Sequence, residues 1–326
     1  MKSIFKTIRG LLSLALYFIN TLAFCTPLFL MTLLKAIIPL AAWRKLCDKI
    51  LIRIAGGWIA VNNLNQKIFS RTRIQVRGRQ ELDPNDWYLV MANHQSWVDI
   101  LILQNIFYGR IPMLKFFLKK ELIWVPVLGQ AWWALDFPFM KRYSKKVLQR
   151  NPTLKGKDIE ITRKACQKFK TMPVSVMNFV EGTRFTPKKH NEQVSPYTHL
   201  LKTKAGGIAF VLAAMGEQLN TILDVTIAYP GTPGNFWKFL CGRIPEVKID
   251  IRTMPIDPSL MGNYVGDHAF RDRFQTWLNR LWTEKDKRMA AMLAPSAWPE
   301  PQNPIGRSVG GQNPKGGRLE HQKVRG

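Results

Sequence analysis

The stretch WYLVMANHQSWVDI, residues 87–100, changes character in its middle. Residues 87–93 are aromatic, branched or apolar and follow the turn residues DPND, so they read as a strand. From Asp99 to about Tyr108 the apolar residues recur at helical spacing. A strand, a short polar loop and a helix make the unit from which α/β domains are built. The order also sets His94 at the carboxyl end of a strand, where open α/β sheets place their ligands.

His94 and Asp99 lie five positions apart. Five residues along one continuous helix rotate a side chain by about 140°, so the two meet only if the chain turns between them. Ser96 supplies that turn: SWVD has the form of an N-cap serine with an acidic residue at the third helical position, starting a helix at Trp97. Asp99 then reads as a capping residue alone, or as a cap that also accepts from the imidazole and fixes its tautomer. No G-x-S-x-G nucleophile accompanies the histidine, which suggests that the hydroxyl it deprotonates belongs to a substrate.

Outward from this unit, strands are expected at 73–78, 174–180, 223–229 and 246–252. Helices are expected at 157–170, 205–215 and 267–293. Interleaved strands and helices indicate an α/β class. The run NFVEGTRF, residues 178–185, follows one of these strands. Gly182 permits close backbone approach, Thr183 offers a hydroxyl and Arg184 offers a fork matched to phosphate oxygens. Glu181 with Arg184 reads either as part of an anion site or as an ion pair across a turn.

The formal net charge is +26, from 48 Lys and Arg against 22 Asp and Glu. So much self-repulsion calls for a polyanionic neighbour, either nucleic acid or an anionic membrane. Residues 10–34 carry no charge, which selects the membrane; no nucleic-acid partner is expected. Basic residues on both flanks of this run (Lys2, Lys6 and Arg9 before it, Arg44, Lys45, Lys49 and Arg53 after it) ask for the cytoplasmic side. A secretory signal is the rival, but the run is too long and lacks a small-residue cleavage site. Pro27 divides the apolar stretch, favouring a helical hairpin broken there and dipping into one leaflet over a single tilted span. The expected organisation is an anchor over 1–45, an enzyme domain over 46–293, and a flexible basic Pro/Gly-rich tail over 294–326.

Taken together, N-H-x-x-x-x-D and E-G-T-R, in this order and roughly ninety residues apart, resemble the glycerophosphate acyltransferase family, whose best-known bacterial members acylate lysophosphatidic acid. The resemblance covers approximately residues 70–260 and implies a mixed sheet flanked by helices behind an N-terminal hydrophobic anchor. It implies His94 as general base and Asp99 as its orienting partner. Arg142, in FMKRYS, matches the block whose arginine helps to hold glycerol phosphate; Glu181, Gly182, Thr183 and Arg184 match the next block, with Arg184 the phosphate ligand. VTIAYP, ending at Pro230, stands where a more proline-rich fourth block belongs, and Phe179-Val180 replaces a frequent phenylalanine-proline. The implied co-substrate is acyl-CoA or acyl-ACP, with acyl carrier protein a partner, no other cofactor, and location at a bacterial inner membrane.

Residues 107–142 mix aromatics with lysines and read equally as an acyl-chain groove at the membrane surface or as core plus a solvated face. Lys202 and Lys204 precede a helix start at which donor phosphate could bind, or mark a plain loop-to-helix junction. Cys25, Cys47, Cys166 and Cys241 are scattered without ligand spacing, so neither a metal site nor a disulfide framework is expected and a reducing compartment fits. His190, His199, His268 and His321 are expected at the surface. The rival function is a basic membrane- or nucleic-acid-binding protein without catalysis, which explains the charge but leaves His94 and Asp99 unused.

Overall fold

The computed structural model describes residues 2–78, 82–140 and 172–294, with Glu160, Cys166 and Phe169 between the last two stretches. Arg142, most of the helix expected over 157–170 and all but the first residue of the 294–326 tail lie outside the described residues.

The strands are β1 (Arg73–Arg77), β2 (Tyr88–Ala92), β3 (Leu114–Phe116), β4 (Leu118–Lys119), β5 (Phe139–Met140), β6 (Ser175–Phe179), β7 (Thr221–Ala228) and β8 (Glu246–Pro255). Six of them form one mixed sheet in the order β1-β8-β7-β2-β6-β3, while β4 and β5 pair separately. β3, β6, β2 and β7 run parallel; β8 is antiparallel to β7, and β1 is parallel to β8. β2 is central and buried along its whole length, which explains why its five residues are apolar on both faces rather than alternating. Tyr88, Val90 and Ala92 join the core on one face, and Leu89 and Met91 the core on the other.

The helices are α1 (Lys2–Ile37), α2 (Ala41–Asn65), α3 (Val98–Phe107), α4 (Leu128–Ala134), α5 (Pro187–Gln193), α6 (Gly206–Met215), α7 (Phe236–Leu240) and α8 (His268–Leu293). Residues of α3 and α7 pack on the Val90 face, and residues of α6 and α8 on the Leu89 face. The second face is tied by charge as well. Asp224 on β7 lies buried against Lys285 and Arg288 of α8, whose cations hold its carboxyl below the usual carboxylate range.

Two expectations need correction. Pro27 does not break the apolar stretch: α1 runs unbroken for 36 residues, about 54 Å at the helical rise. Pro27 is exposed, and the helix is held on both sides of it by packing against α2. Proline removes one N–H and disturbs one turn; the hydroxyl of Thr26 adds a bond to the Leu22 carbonyl in that turn. The hairpin is made instead by α1 and α2, joined at 38–40, and α2 runs through residue 45, where the anchor was expected to end. His190, expected at the surface, is half-buried, with its Nε2 2.6 Å from the Tyr197 carbonyl.

Polar residues on α1 face inward. Ser13 donates to Asn65 Oδ1 at 2.7 Å, and Asn20 donates to Asn62 Oδ1 at 2.8 Å. Both ends of α1 are tied to the body: Arg9 donates to the carbonyl of Cys241 just after α7, and Lys35 pairs with Asp48 and Asp136. The outer face is apolar and exposed, with Phe5, Leu11, Phe18, Leu22 and Leu33 along it.

Candidate active site

Three neighbouring parallel strands, β6, β2 and β7, end at the same edge of the sheet. Their next residues therefore meet although far apart in sequence: His94 follows β2, Glu181 follows β6 and Tyr229 follows β7. Asn93 fastens this edge, accepting from the Ile227 N–H at 2.8 Å and donating to the Ile227 carbonyl at 2.8 Å. Its amide thus extends the pairing of β2 with β7 beyond the last strand residue.

His94 and Asp99 are brought together, with Nδ1 2.9 Å from Oδ2. The same Oδ2 accepts the backbone N–H groups of Gln95 at 2.6 Å and Ser96 at 2.9 Å, and Oδ1 accepts from the Tyr229 hydroxyl at 2.5 Å. Asp99 is fully buried. An ionised carboxylate only accepts, so the proton shared with His94 sits on Nδ1 and leaves Nε2 with a free lone pair. Asp99 therefore caps the helix and orients the imidazole at once. The serine keeps the expected cap in part: its Oγ accepts the Val98 N–H at 3.3 Å while its hydroxyl donates to the Gly234 carbonyl at 2.6 Å, and α3 begins at Val98, one residue later than the motif suggested.

The imidazole stacks on Phe179, with centroids 3.9 Å apart and planes 13° from parallel. Behind it, Glu181 accepts the backbone N–H of His94 at 2.9 Å through one oxygen and that of Leu201 at 2.9 Å through the other. It is fully buried, so it braces the histidine loop instead of standing among the groups open to a substrate, where it was expected. Burial pushes its carboxyl up to about 8, against the two N–H donors, which pull it down.

Gly182 turns the chain at φ +65°, and its N–H closes back on the Phe179 carbonyl at 2.8 Å. This left-handed position favours glycine because it lacks a Cβ. Thr183 accepts from Lys189 Nζ at 2.7 Å, and the same ammonium donates to the Arg184 carbonyl at 3.1 Å. Arg184 does not turn toward Glu181; its guanidinium lies over the Trp97 ring, 4.4 Å from the centroid. A cation is thereby held on the histidine side of the loop, with Trp97 itself 55% exposed. Sequence reasoning missed Tyr229, Trp97, Lys189 and Phe179. Tyr229 alone carried a signal, its place at the end of a strand.

A cavity of about 560 Å³ opens beside the imidazole. His94, Trp97, Leu101, Phe116, Trp132 and Phe179 are among its lining residues, together with Trp58 from α2. A smaller apolar cavity shares Trp58, Gln104, Trp132 and Phe137 with it and continues between the hairpin and α4. Phe116, Phe117, Leu118, Trp132 and Phe137 all come from the 107–142 segment, so much of that aromatic run is cavity wall. Among the described residues no cluster of His, Cys, Asp or Glu has the makings of a metal site.

Residues 73–230 match the family model described as Acyltransferase. Human 1-acyl-sn-glycerol-3-phosphate acyltransferase alpha is 31% identical over 135 residues, 41% of this chain and 41% of that protein. Mouse lysocardiolipin acyltransferase 1 is 24% identical over 251 residues, 73% of this chain and 62% of that protein. The chain thus spans about two to three fifths of the length of these relatives. The crystal structure of the 1-acyl-sn-glycerophosphate (LPA) acyltransferase PlsC from Thermotoga maritima superposes with a TM-score of 0.53 at 18% identity, covering 88% of this chain and 98% of that one. The fold is therefore the mixed, helix-flanked sheet of that structure, behind one N-terminal helix, Ser3–Ile37, long and apolar enough to cross a membrane.

Proposed function

We propose, from the premise that residues 73–230 form an acyltransferase-family domain, that the chain transfers a fatty acyl group from an acyl-CoA or acyl-ACP thioester to the free hydroxyl of lysophosphatidic acid, giving phosphatidic acid. The observation that carries this reading is the Tyr229–Asp99–His94 chain at the mouth of an apolar cavity, with Arg184 on Trp97 beside it.

The geometry supports the following roles. His94 Nε2 takes the proton of the acceptor hydroxyl as its oxygen attacks the thioester carbonyl. The tetrahedral intermediate collapses, the carbon–sulfur bond breaks, and the imidazolium returns its proton to the leaving thiolate. No acyl-enzyme forms. Arg184 holds the acceptor phosphate, and Thr183 with Lys189 shapes the loop that carries it. Arg142, matched to a glycerol phosphate-binding block by sequence, joins Arg184 in this reading. The apolar cavity takes an acyl chain; its size lies within the ordinary range for small-molecule pockets.

The hairpin supports attachment to an anionic bilayer from one side. With Arg9 and Lys35 both bound to the body, α1 cannot cross end to end without drawing the domain into hydrocarbon, so its apolar outer face enters a single leaflet. In this reading the protein is a monotopic enzyme on the cytoplasmic face of a bacterial inner membrane, with 1–45 in the anchor and 294–326 a basic tail. In this reading the chain is an acyltransferase of the enterobacterial YihG type, a proposal that rests on the runs WWALDFPFMKRYSKK and NFVEGTRF.

The test is acyl transfer from labelled oleoyl-CoA to lysophosphatidic acid by purified wild type and His94→Ala in detergent micelles. A loss of roughly a hundredfold or more is expected, the scale of a general base; equal activity would remove His94 from that role. A second reading, remodelling of another lysophospholipid, draws support from the longer alignment with lysocardiolipin acyltransferase 1. Monolysocardiolipin and lysophosphatidylglycerol as competing acceptors in the same assay decide between them.

A further inference from the structure

We infer that Tyr229 is a positioning residue of the acyl-transfer site, holding the Asp99 carboxylate aimed so that His94 keeps its proton on Nδ1 and its lone pair on Nε2. The inference rests on the reading of His94 as the base.

Asp99 is fully buried between α3 and the sheet, where an ionised carboxylate survives only if hydrogen bonds replace its lost hydration. Oδ2 has three donors: Nδ1 of His94 and two backbone N–H groups of its own loop. Oδ1 accepts from the Tyr229 hydroxyl at 2.5 Å, from the residue that follows β7. A carboxylate held at one oxygen can pivot about it; bonds to both oxygens, from opposite sides, fix its plane. The fixed plane in turn fixes the imidazole, already confined by the Phe179 ring.

Tyr229 is suited to donate and to nothing else. Its ring is almost fully buried, and burial beside the Asp99 carboxylate raises its phenol well above 10, so it stays protonated wherever the domain is folded. The hydroxyl dipole points its positive end at the Asp99 carboxylate. Among the described residues, other charged groups near this chain include Glu181 behind the His94 backbone, Arg184 over Trp97, and Lys285, which reaches the Val225 carbonyl from α8 and pairs with Asp224. Among the described residues none of these groups hydrogen-bonds the Asp99 carboxylate.

Tyr229→Phe deletes the hydroxyl and keeps the ring. In the full-length protein in micelles, kcat is expected to fall about tenfold or more, the scale of one lost bond to a charged group, with KM for lysophosphatidic acid within about twofold, since the variant touches no substrate-binding group. The acid limb of kcat/KM is expected to move to higher pH. Nitrogen NMR on protein labelled in histidine, with the His94 signals identified by their absence in His94→Ala, is expected to show the Nδ1–H tautomer in wild type and a mixture in Tyr229→Phe. A folded variant with unchanged kcat and unchanged tautomer overturns the inference. If Tyr229→Phe does not fold, 3,5-difluorotyrosine at 229 keeps the hydroxyl and makes it a stronger donor. The acid limb then moves to lower pH, and an unmoved limb overturns the inference. Should wild type transfer no acyl group to any acceptor, the proposed function fails, while the tautomer measurement still decides the part played by Tyr229.

Discussion

Arg184 is held twice, by its ring contact with Trp97 and by the bond of Lys189 to its carbonyl, so its guanidinium is presented rather than left to wander. Arg184→Lys keeps the charge but loses the fork and the flat face. KM for lysophosphatidic acid is expected to rise about tenfold with a smaller change in kcat, on the scale of one charge-assisted bond; initial-rate kinetics at saturating donor check this. Glu181 makes a prediction about pH. Its carboxyl titrates near 4.5 ordinarily and at about 8 when folded, so between those values the folded form binds more protons than the unfolded one. Its contribution to stability is therefore complete below 4.5 and is lost as pH rises through 8. Glu181→Gln is expected to flatten this decline, which has a slope of up to about 1.4 kcal/mol per pH unit, although Gln can accept only one of the two backbone N–H groups. Denaturant unfolding from pH 5 to 9 on both proteins measures the difference.

At the scale of elements, the hairpin walls the candidate site as well as carrying the apolar face proposed to meet the membrane. Trp58 of α2 lines the cavity beside His94, and Phe24, Cys25 and Leu28 of α1 line its continuation. Close packing of the two helices depends on Gly57, where an added Cβ would lie 2.4 Å from the Phe24 ring. Gly57→Leu is expected to destabilise by about 1–3 kcal/mol, the usual range for overpacking. It should also lower activity, because Trp58 is its neighbour. Thermal unfolding and acyl transfer on the same preparation test both. The apolar length and the flanking basic residues were legible as a membrane signal. The position of the turn was not: a proline is a local cost of about 3 kcal/mol, and contacts with α2 along most of α1 outweigh it.

For the whole molecule, the exposed apolar face of α1 and the net charge of +26 act over different ranges. Charge draws the protein toward an anionic surface and is screened within about 3 Å at 1 M salt, whereas apolar burial is not weakened by salting-out salts. Binding to phosphatidylglycerol vesicles is therefore expected to weaken but persist at 1 M salt. The triple variant Leu11→Glu, Phe18→Glu, Leu22→Glu is expected to lose that salt-resistant part while keeping its fold, since all three side chains point away from the body. Vesicle flotation with circular dichroism measures both, and undiminished binding of the variant at high salt would refute insertion by this face.

The α/β class and the long apolar N-terminus were determined by the sequence alone, because each rests on the composition and spacing of local segments, whereas the sequence allowed His94 to meet Asp99 without deciding between that contact and a cap alone. Gly182 was read only as allowing close backbone approach, and its left-handed turn at φ +65° came from the structure. Only the tertiary structure decided what surrounds the dyad. Glu181 turned inward to brace the His94 backbone, Arg184 settled on Trp97, and Tyr229 reached Asp99 from across the sheet. These pairs are 87 to 130 residues apart, and strand order, which no local pattern encodes, placed β6 and β7 on either side of β2 so that three strand ends converged on one histidine.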